Sequence, residues 1–266
     1  MEIAVIIAAG GSSTRYASAG GVRAKLDEDL GGKPLLQRTM EAFANHDRVR
    51  WIVVAGPGSD PEFAEFKARH GDRIGLLGAT LVRGGANARW ESVKAALEAV
   101  DPGATHIAVH DAARPCVSEV LLDRVFGLAK EHPAVIPAVA CADTVKRVER
   151  TDRPASTDED PAAAILGLTP GDGERLSVVR ATIEREGLMM VQTPQVFEAG
   201  LLRRAYGQAD LSSTDDAGLV ERLGVEVVVA RGEAKNLKVT VPEDLAMVRA
   251  VMGFRGGGEK PAMRRF

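Results

Sequence analysis

The stretch AVIIAAGGSSTR at residues 4–15 limits the fold more than any other part of the chain. Its β-branched apolar residues predict a buried strand, which runs directly into small residues and a glycine pair, Gly10 and Gly11. Backbone N–H groups can approach an anion closely in such a loop, because no Cβ atoms stand in the way. Two cations, Arg15 and Lys25, follow the loop and could hold the same anion. We therefore expect a nucleoside triphosphate to bind over this loop.

Short apolar runs alternate with amphipathic segments along the first half of the chain. This alternation predicts an α/β fold, a Rossmann-like, mostly parallel sheet with helices on both faces. The predicted strands cover 4–8, 51–55, 79–83, 106–110 and 134–139, and the predicted helices cover 34–43, 61–69, 89–100 and 121–130. Ligands of such sheets bind beyond the carboxyl ends of the strands. The loops after Ala8, Val82 and His110 should therefore line one crevice.

The pattern changes after residue 140. Two segments, 143–148 and 176–183, read as strands, which predicts a protruding β-hairpin arm at 143–183. The insertion at about 151–175 is acidic, rich in proline and alanine and weakly periodic, so we expect a long or partly disordered loop there.

The rest of the chain returns to the α/β pattern. The predicted helices cover 199–208, 215–223 (with Thr214 as N-cap) and 242–252, and the predicted strands cover 225–230 and 237–240. We expect one domain over residues 1–252, of which the hairpin arm is a part, and a flexible tail at 253–266.

The composition argues against several classes of protein. Hydrophobic residues at 45% and charged residues at 27% are ordinary for a soluble globular chain. The net charge of -3 gives no general affinity for nucleic acid or an anionic membrane. The two cysteines, Cys116 and Cys141, form no CxxC pair, and no stretch approaches membrane-spanning length. We therefore expect a cytoplasmic protein with no nucleic-acid or membrane partner.

The glycine loop lacks two common phosphate-binding signatures. No Gly-Lys-Ser/Thr follows Gly11, so the loop is not a Walker A motif. It is not GxGxxG either, because serines follow the pair Gly10 and Gly11. This disfavours P-loop hydrolysis and nicotinamide binding. The alternative to an anion-binding loop is a plain strand–helix turn.

Two further stretches place charge at or near expected strand ends. In VHDAARP at 109–115, Asp111 could hold a ribose hydroxyl or a water of a Mg²⁺ ion and Arg114 a phosphate, or the two could form a pair that fixes the loop. In NLKVT at 236–240, Lys238 indicates either an anionic ligand or an exposed edge strand. His110 is expected to be a structural histidine rather than a base. The sequence has no Ser/His/Asp arrangement and no His/Cys cluster, which disfavours hydrolase and structural-zinc readings.

Taken together, these stretches resemble the 2-C-methyl-D-erythritol 4-phosphate cytidylyltransferase (IspD) family over about residues 3–252. The motifs that carry the resemblance are AAG with Arg15 and Lys25, GG…R…SV at 84–93, VHDAARP at 109–115, DTVK at 143–146, TPQ at 193–195, TDD at 214–216 and NLKVT at 236–240. The resemblance implies a nucleotide-diphospho-sugar transferase-like fold. It also implies transfer of CMP from CTP to 2-C-methyl-D-erythritol 4-phosphate in the non-mevalonate isoprenoid pathway, with release of pyrophosphate and Mg²⁺ as cofactor.

The resemblance also implies roles for the matching residues. The catalytic set that it implies is Arg15, Lys25, Arg185 and Lys238. The substrate-binding set that it implies is Ala8, Ala9, Gly10, Gly85 and Ser92 around CTP, and Asp111, Ala112, Arg114, Thr144 and Thr214 toward the acceptor. Mg²⁺ would be bound mainly through the CTP phosphates, with Asp111 as a further candidate ligand. In the family the hairpin arm exchanges between the subunits of a homodimer, so we expect a homodimer whose arm carries Arg185 to the other subunit's site.

Two other functions remain open at this point. A related ribitol 5-phosphate cytidylyltransferase shares the glycine loop, the Asp-Ala-Ala-Arg-Pro element and the second lysine. The residues at 185–188 and the TDD motif favour the methylerythritol branch. A non-catalytic nucleotide-binding subunit on the same fold is the second alternative. The presence of all three cations, Arg15, Lys25 and Lys238, argues against it.

Overall fold

A computed structural model describes residues 1–11, 13–154 and 175–254. The chain divides into two compact units. Unit 1 comprises Met1–Val139 together with the chain from Val191 onward, and unit 2 comprises Ala140–Met190. Most of the predicted insertion loop and nearly all of the predicted tail lie outside the described residues.

The secondary structure follows the predicted alternation. The described strands are β1 (Ile3–Ala8), β2 (Val49–Gly56), β3 (Thr80–Arg83), β4 (His106–Asp111), β5 (Ala134–Ala140), β6 (Val145–Pro154), β7 (Arg175–Ile183), β8 (Met189–Val191), β9 (Gln195–Glu198) and β10 (Val228–Arg231). The described α-helices are α1 (Thr14–Ser18), α2 (Leu35–Ala44), α3 (Asp60–Leu76), α4 (Arg89–Glu98), α5 (Glu119–Leu128), α6 (Ala199–Ala205), α7 (Ala217–Glu221) and α8 (Asp244–Val251). A 3₁₀ turn covers Lys25–Asp27.

Seven strands of unit 1 lie side by side in the order β10-β5-β9-β4-β1-β2-β3. β1 pairs in parallel with β2 and β4, and β2–β3 and β5–β10 are parallel as well. β9 runs antiparallel to both of its neighbours, β4 and β5. The predicted mostly parallel sheet is confirmed, although the sequence did not indicate the antiparallel β9.

Helices cover both faces of this sheet, as predicted. Successive side chains of a strand point to opposite faces, so β1 contributes to two cores. Ala4 and Ile6 pack in the core that includes residues of α4, α6 and α7. Ile3, Val5 and Ile7 pack in the core that includes residues of α2, α3 and α5. β1 is therefore buried on both sides, and its carboxyl end is held rigidly.

Several element predictions differ from the structure. α3 continues to Leu76, well beyond the predicted end at residue 69. α7 is shorter than predicted, and its N-cap is Asp216 rather than Thr214. The run at 237–240 is not a strand, because its backbone N–H groups donate isolated hydrogen bonds to different partners instead of pairing with a neighbouring strand. The Val239 N–H donates to the Ala113 carbonyl at 2.8 Å, and the Thr240 N–H donates to a carboxylate oxygen of α8 at 2.6 Å.

Unit 2 contains a β-hairpin, as predicted. β6 and β7 form a two-stranded antiparallel sheet in which Val145 is opposite Ile183 and Arg150 is opposite Ser177. Side chains also pair across it: the Nζ of Lys146 donates to the Oγ1 of Thr182 at 2.6 Å. In the part of the chain that the structure describes, no helix has the length and apolar character needed to cross a bilayer.

Candidate active site

A cleft of about 440 Å³ opens at the carboxyl ends of β1, β3 and β4. These strand ends carry the three loops that the sequence predicted to line one crevice. Ten of the predicted site residues line this cleft: Ala8, Ala9, Gly10, Arg15, Lys25, Gly85, Ser92, Asp111, Ala112 and Lys238. The predicted crevice therefore exists, and it lies entirely within unit 1.

Glycines allow the backbone to approach closely at the floor of the cleft. A Cβ on Gly10 would lie 2.4 Å from the carbonyl oxygen of Gly56 and 3.0 Å from the Oγ of Ser92. A Cβ on Gly85 would lie 1.9 Å from the Cβ of Glu91. The Gly85 N–H donates to the buried Oγ of Ser92 at 3.1 Å. Ser92 therefore fixes the loop after β3, and only glycine fits at these two positions.

Arg15 and Lys25 face the cleft without a protein anion. Arg15 lies in the short helix α1 and Lys25 in the 3₁₀ turn. In residues 1–11, 13–154 and 175–254, neither side chain forms a salt bridge. Burial lowers the pKa of Lys25, and the nearby positive charges of Lys238 and Arg15 lower it further, whereas Asp111 acts in the opposite direction. These two cations are therefore available to an anionic ligand.

A small satellite core positions these cations. Tyr16 is buried and packs in a cluster with Leu30, Leu35, Val239 and Leu245. Its hydroxyl donates to the carboxylate of Glu28 at 2.8 Å. Because Val239 follows Lys238 and Tyr16 follows Arg15, the same cluster holds the backbone on both sides of the cleft.

The anion partner of Lys238 is a residue of the same chain. Its Nζ lies 2.8 Å from Oδ2 of Asp111. Burial alone would raise the pKa of Asp111, but Arg89, Lys238 and Arg114 hold it well below its usual range. Asp111 is therefore an anion at any pH at which the protein functions, and it holds Lys238 at the edge of the cleft.

Arg114 fixes the loop after β4 rather than lining the cleft. Its Nε lies 3.6 Å from Oδ2 of Asp111, and its NH1 donates to the carbonyl of Asn236 at 2.8 Å. This contact joins the Asp-Ala-Ala-Arg-Pro element to the segment that carries Lys238. The structure thus favours the loop-fixing alternative for Arg114.

Arg89 and Asp216 lie within motifs that carry the family resemblance, but no sequence pattern placed them at the site. Arg89 is the first residue of α4, and its Nε lies 3.2 Å from Oδ1 of Asp111. Its NH1 lies 2.8 Å from Oδ2 of Asp216, which is fully buried. The available signals were an arginine three residues before Ser92 and a second aspartate after Thr214, and neither predicts a contact across 127 residues.

His110 is a structural histidine, as expected. Its Nε2 lies 3.1 Å from the carbonyl oxygen of Arg114, which can only accept, so we assign the ring proton to Nε2. Its Nδ1 then accepts from the Thr193 hydroxyl at 3.0 Å, and that oxygen in turn accepts from the Asp111 N–H at 3.1 Å. Complete burial lowers the pKa of His110 to about 4, although its bond to the Arg114 carbonyl opposes the shift. Both ring nitrogens are engaged, so His110 is not a base for the reaction.

Besides Arg114, three predicted site residues are not among those that line the cleft. Thr214 is exposed and precedes α7. Thr144 and Arg185 belong to unit 2, where Thr144 is exposed and Arg185 donates to the carbonyl of Ala142. Their roles in binding the acceptor remain predictions.

The cleft residues do not fit a site in which the protein itself cages a divalent cation. Both oxygens of Asp111 are engaged by cations, Oδ1 by Arg89 and Oδ2 by Lys238 and Arg114. No cluster of three or more His, Cys, Asp or Glu side chains with metal-binding geometry occurs among the residues that the structure describes. Asp111 is thus poorly suited to be a metal ligand in this arrangement.

Comparison with known proteins decides the family. The sequence profile of 2-C-methyl-D-erythritol 4-phosphate cytidylyltransferase matches residues 3–170 and 157–253. The chain belongs to this family. The enzyme of that name from Frankia casuarinae is 39% identical over 254 residues, which cover 94% of this chain and 81% of the relative. The one from Solibacter usitatus is 36% identical and covers 93% of this chain and 94% of the relative.

Solved structures of 2-C-methyl-D-erythritol 4-phosphate cytidylyltransferases share the fold. The crystal structure of the enzyme from Thermus thermophilus aligns with a TM-score of 0.67 at 30% identity, covering 95% of this chain and 100% of that one. The crystal structure of 4-diphosphocytidyl-2C-methyl-D-erythritol synthase from Anaerococcus prevotii aligns with a TM-score of 0.68 at 25% identity, covering 95% of this chain and 98% of that one. Membership of this family confirms the resemblance and the assignment to nucleotidyltransferases. Neither the ribitol 5-phosphate alternative nor a non-catalytic subunit is favoured.

Proposed function

We propose that this chain transfers CMP from CTP to 2-C-methyl-D-erythritol 4-phosphate, releasing pyrophosphate and forming 4-diphosphocytidyl-2-C-methyl-D-erythritol in the non-mevalonate isoprenoid pathway. The observation that carries the proposal is the pair of cations, Arg15 and Lys25, that face the cleft above a glycine floor. Family membership supplies the identity of the nucleotide and the acceptor.

The proposed step is an in-line displacement at phosphorus. A phosphate oxygen of the acceptor attacks the α-phosphorus of CTP, and the bond from that phosphorus to the oxygen bridging to the β-phosphate breaks. The electron pair leaves with pyrophosphate. A phosphate monoester is largely dianionic at neutral pH, because its second pKa is about 6. The nucleophile therefore needs no general base, which agrees with the engagement of both nitrogens of His110.

The chain's own contribution is placement and positive charge. Arg15 and Lys25 would face the triphosphate and stabilise the charge that develops on the departing pyrophosphate. The backbone around Ala9 and Gly10, together with the loop fixed by Ser92, would hold the nucleotide. Lys238, oriented by Asp111, would hold the acceptor phosphate. Thr144, Arg185 and Thr214 are proposed to complete acceptor binding.

Magnesium remains a proposal that rests on the nucleotide. Since the cleft side chains do not form a metal cage, Mg²⁺ would arrive with the CTP phosphates, whose charge it would neutralise. We assign no step of the reaction to it.

We further propose that the chain forms a homodimer through the hairpin arm. Within unit 2, Val148 and Val179 are opposite each other in the ladder, and their exposed fractions are 55% and 58%. A second copy of the chain could cover this exposed apolar pair. The double variant Val148→Lys/Val179→Lys should be monomeric by light scattering, whereas Arg180→Ala on the neighbouring position should remain dimeric. A monomeric parent chain would disprove the proposal.

We propose a cytoplasmic location because the two cysteines are unpaired. Cys116 and Cys141 are both free thiols. Unpaired thiols are typical of a reducing compartment.

The experiment that tests the function compares two acceptors. Pyrophosphate release is measured with CTP and either 2-C-methyl-D-erythritol 4-phosphate or ribitol 5-phosphate. We expect release with the first acceptor and little with the second. Preference for ribitol 5-phosphate would reassign the substrate. A heat-shift response to CTP without pyrophosphate release under either condition would support a non-catalytic subunit instead.

A further inference from the structure

Asp216 is a fully buried carboxylate at the N-terminus of α7, and it is not among the residues that line the cleft. Its Oδ2 lies 2.8 Å from the NH1 of Arg89, and its Oδ1 accepts from the hydroxyl of Tyr206. A buried ion pair usually gains little stability, because desolvation offsets the attraction between the charges. The pair therefore calls for an explanation other than stability.

Arg89 is shared between this buried carboxylate and the cleft. Its Nε lies 3.2 Å from Oδ1 of Asp111, while its NH1 is held by Asp216. The other oxygen of Asp111, Oδ2, lies 2.8 Å from the Nζ of Lys238. Four charged groups of alternating sign thus form one continuous series from the core to the edge of the cleft: Asp216, Arg89, Asp111 and Lys238.

We infer that Asp216 is a positioning residue that acts through Arg89 on Asp111 and so on Lys238, an inference that rests on the proposed function. The guanidinium is a planar fork that can bind a carboxylate through two parallel hydrogen bonds. In the structure NH1 binds Asp216 and Nε binds Oδ1 of Asp111, and this orientation leaves Oδ2 to Lys238. Without that anchor, Arg89 is free to engage both oxygens of Asp111 and to displace Lys238.

The matched variants follow from this geometry. Asp216→Asn keeps the volume but removes the charge that anchors Arg89. Arg89→Lys keeps the charge but cannot bridge two carboxylates as a fork does. Asp215→Asn is the control, because Asp215 bonds to the Nε2 of Gln195 and the N–H of Gly218 rather than to the series. Circular dichroism and thermal unfolding establish that each variant is folded.

The first readout is a double-mutant cycle on kcat/KM for the acceptor. We expect Asp216→Asn and Arg89→Lys each to lower it by about 10- to 100-fold, the range for a misplaced binding group, with the Kd for CTP less affected. The kcat/KM of the double variant should be no lower than that of the less active single variant, because both changes break the same series. Additive losses would overturn the inference, since a merely structural contribution of Asp216 would add to the loss at Arg89. An unchanged kcat/KM in Asp216→Asn would also overturn it.

The second readout does not depend on activity. Acetylation of Lys238 by a small reagent is followed by mass spectrometry in the ligand-free protein. Release of Lys238 from Asp111 should speed its acetylation about two- to fivefold in Asp216→Asn, as expected for losing a partly exposed ion pair, and not in Asp215→Asn. If the parent chain releases no pyrophosphate but this acetylation pattern appears, the proposed function fails and the positioning of Lys238 stands. Equal acetylation in all variants would overturn the positioning role.

Discussion

The Nζ of Lys238 lies 2.8 Å from Oδ2 of Asp111, although the two residues are far apart along the chain. This contact brings the last motif of the sequence to the carboxyl end of β4, where the cleft opens. Asp111 is kept ionised by its cationic neighbours, so it forms an ion pair with Lys238 before any substrate binds. The same lysine is proposed to receive the acceptor phosphate.

Removing Lys238 should abolish most of the activity without unfolding the protein. Lys238→Ala is expected to lower turnover by about 10²–10³, the usual effect of deleting one preorganised charge, and Lys25→Ala should do the same. Lys235→Ala is the matched control, because Lys235 is exposed and lies 3.5 Å from Glu233. Turnover is measured by pyrophosphate release, and folding by thermal unfolding. Near-normal turnover in Lys238→Ala or Lys25→Ala would remove that lysine from the catalytic set.

The pH dependence of CTP use should report Lys25. Burial, Lys238 and Arg15 lower its pKa in the free chain. A lysine is charged below its pKa, so the cation is lost as pH rises through that lowered value. We expect kcat/KM for CTP to fall on the alkaline side at a lower pH than an ordinary lysine would give. Lys25→Arg keeps its charge at high pH and should move this decline to higher pH. A decline at the same pH in Lys25→Arg would show that another group causes it.

Gly10 and Gly11 are adjacent, but an added side chain should have different effects at the two positions. A Cβ on Gly10 would meet the carbonyl oxygen of Gly56 at 2.4 Å, whereas a Cβ on Gly11 would meet no atom within 4 Å. Gly10→Ala should lower the free energy of unfolding by about 1–3 kcal/mol, as overpacking usually does, and weaken CTP binding. Gly11→Ala should leave both close to the parent values. Urea unfolding and calorimetry measure them. Equal behaviour of the two variants would contradict the described loop packing.

The sequence predicted most of the sheet but not all of it. The central parallel strands β1, β2 and β4 were predictable because each contains a continuous apolar run, as expected for strands buried on both faces. β9 was not, because only Val196 and Phe197 are apolar in its four residues and no periodicity develops over that length. The run at 237–240 was predicted as a strand because, apart from Lys238, it is largely apolar. Its backbone bonds instead go to Ala113 and to a side chain of α8, and sequence alone does not indicate such partners.

The same limit explains what was missed at the site. Residue type and position indicated the loops after β1, β3 and β4 and the cations Arg15, Lys25 and Lys238, whereas Ser92, inside α4, was indicated by the family resemblance. The contacts of Arg89 with Asp111 and Asp216 depend on how α4 and α7 pack around the sheet. Helix periodicity gives the buried face of each helix but not the partner that a charged residue at its first turn will meet.

Acid should destabilise the fold through His110. Its pKa is about 4 in the folded chain because it is completely buried, against about 6.5 in an unfolded one. As pH falls from about 6.5 to 4 the unfolded chain binds a proton that the folded chain excludes, so stability falls by about 3 kcal/mol over that range. Urea unfolding at several pH values measures this. His110→Gln should lose that part of the pH dependence, and an unchanged dependence in the variant would contradict the assigned burial.

The central claim is that the cleft binds CTP and carries out one transfer. The most direct measurement is pyrophosphate release with 2-C-methyl-D-erythritol 4-phosphate as acceptor, using CTP, UTP, ATP and GTP in turn. The account predicts rapid release with CTP, much slower release with the other three and none when the acceptor is omitted. Equal release with all four nucleotides, or none with CTP, would contradict it.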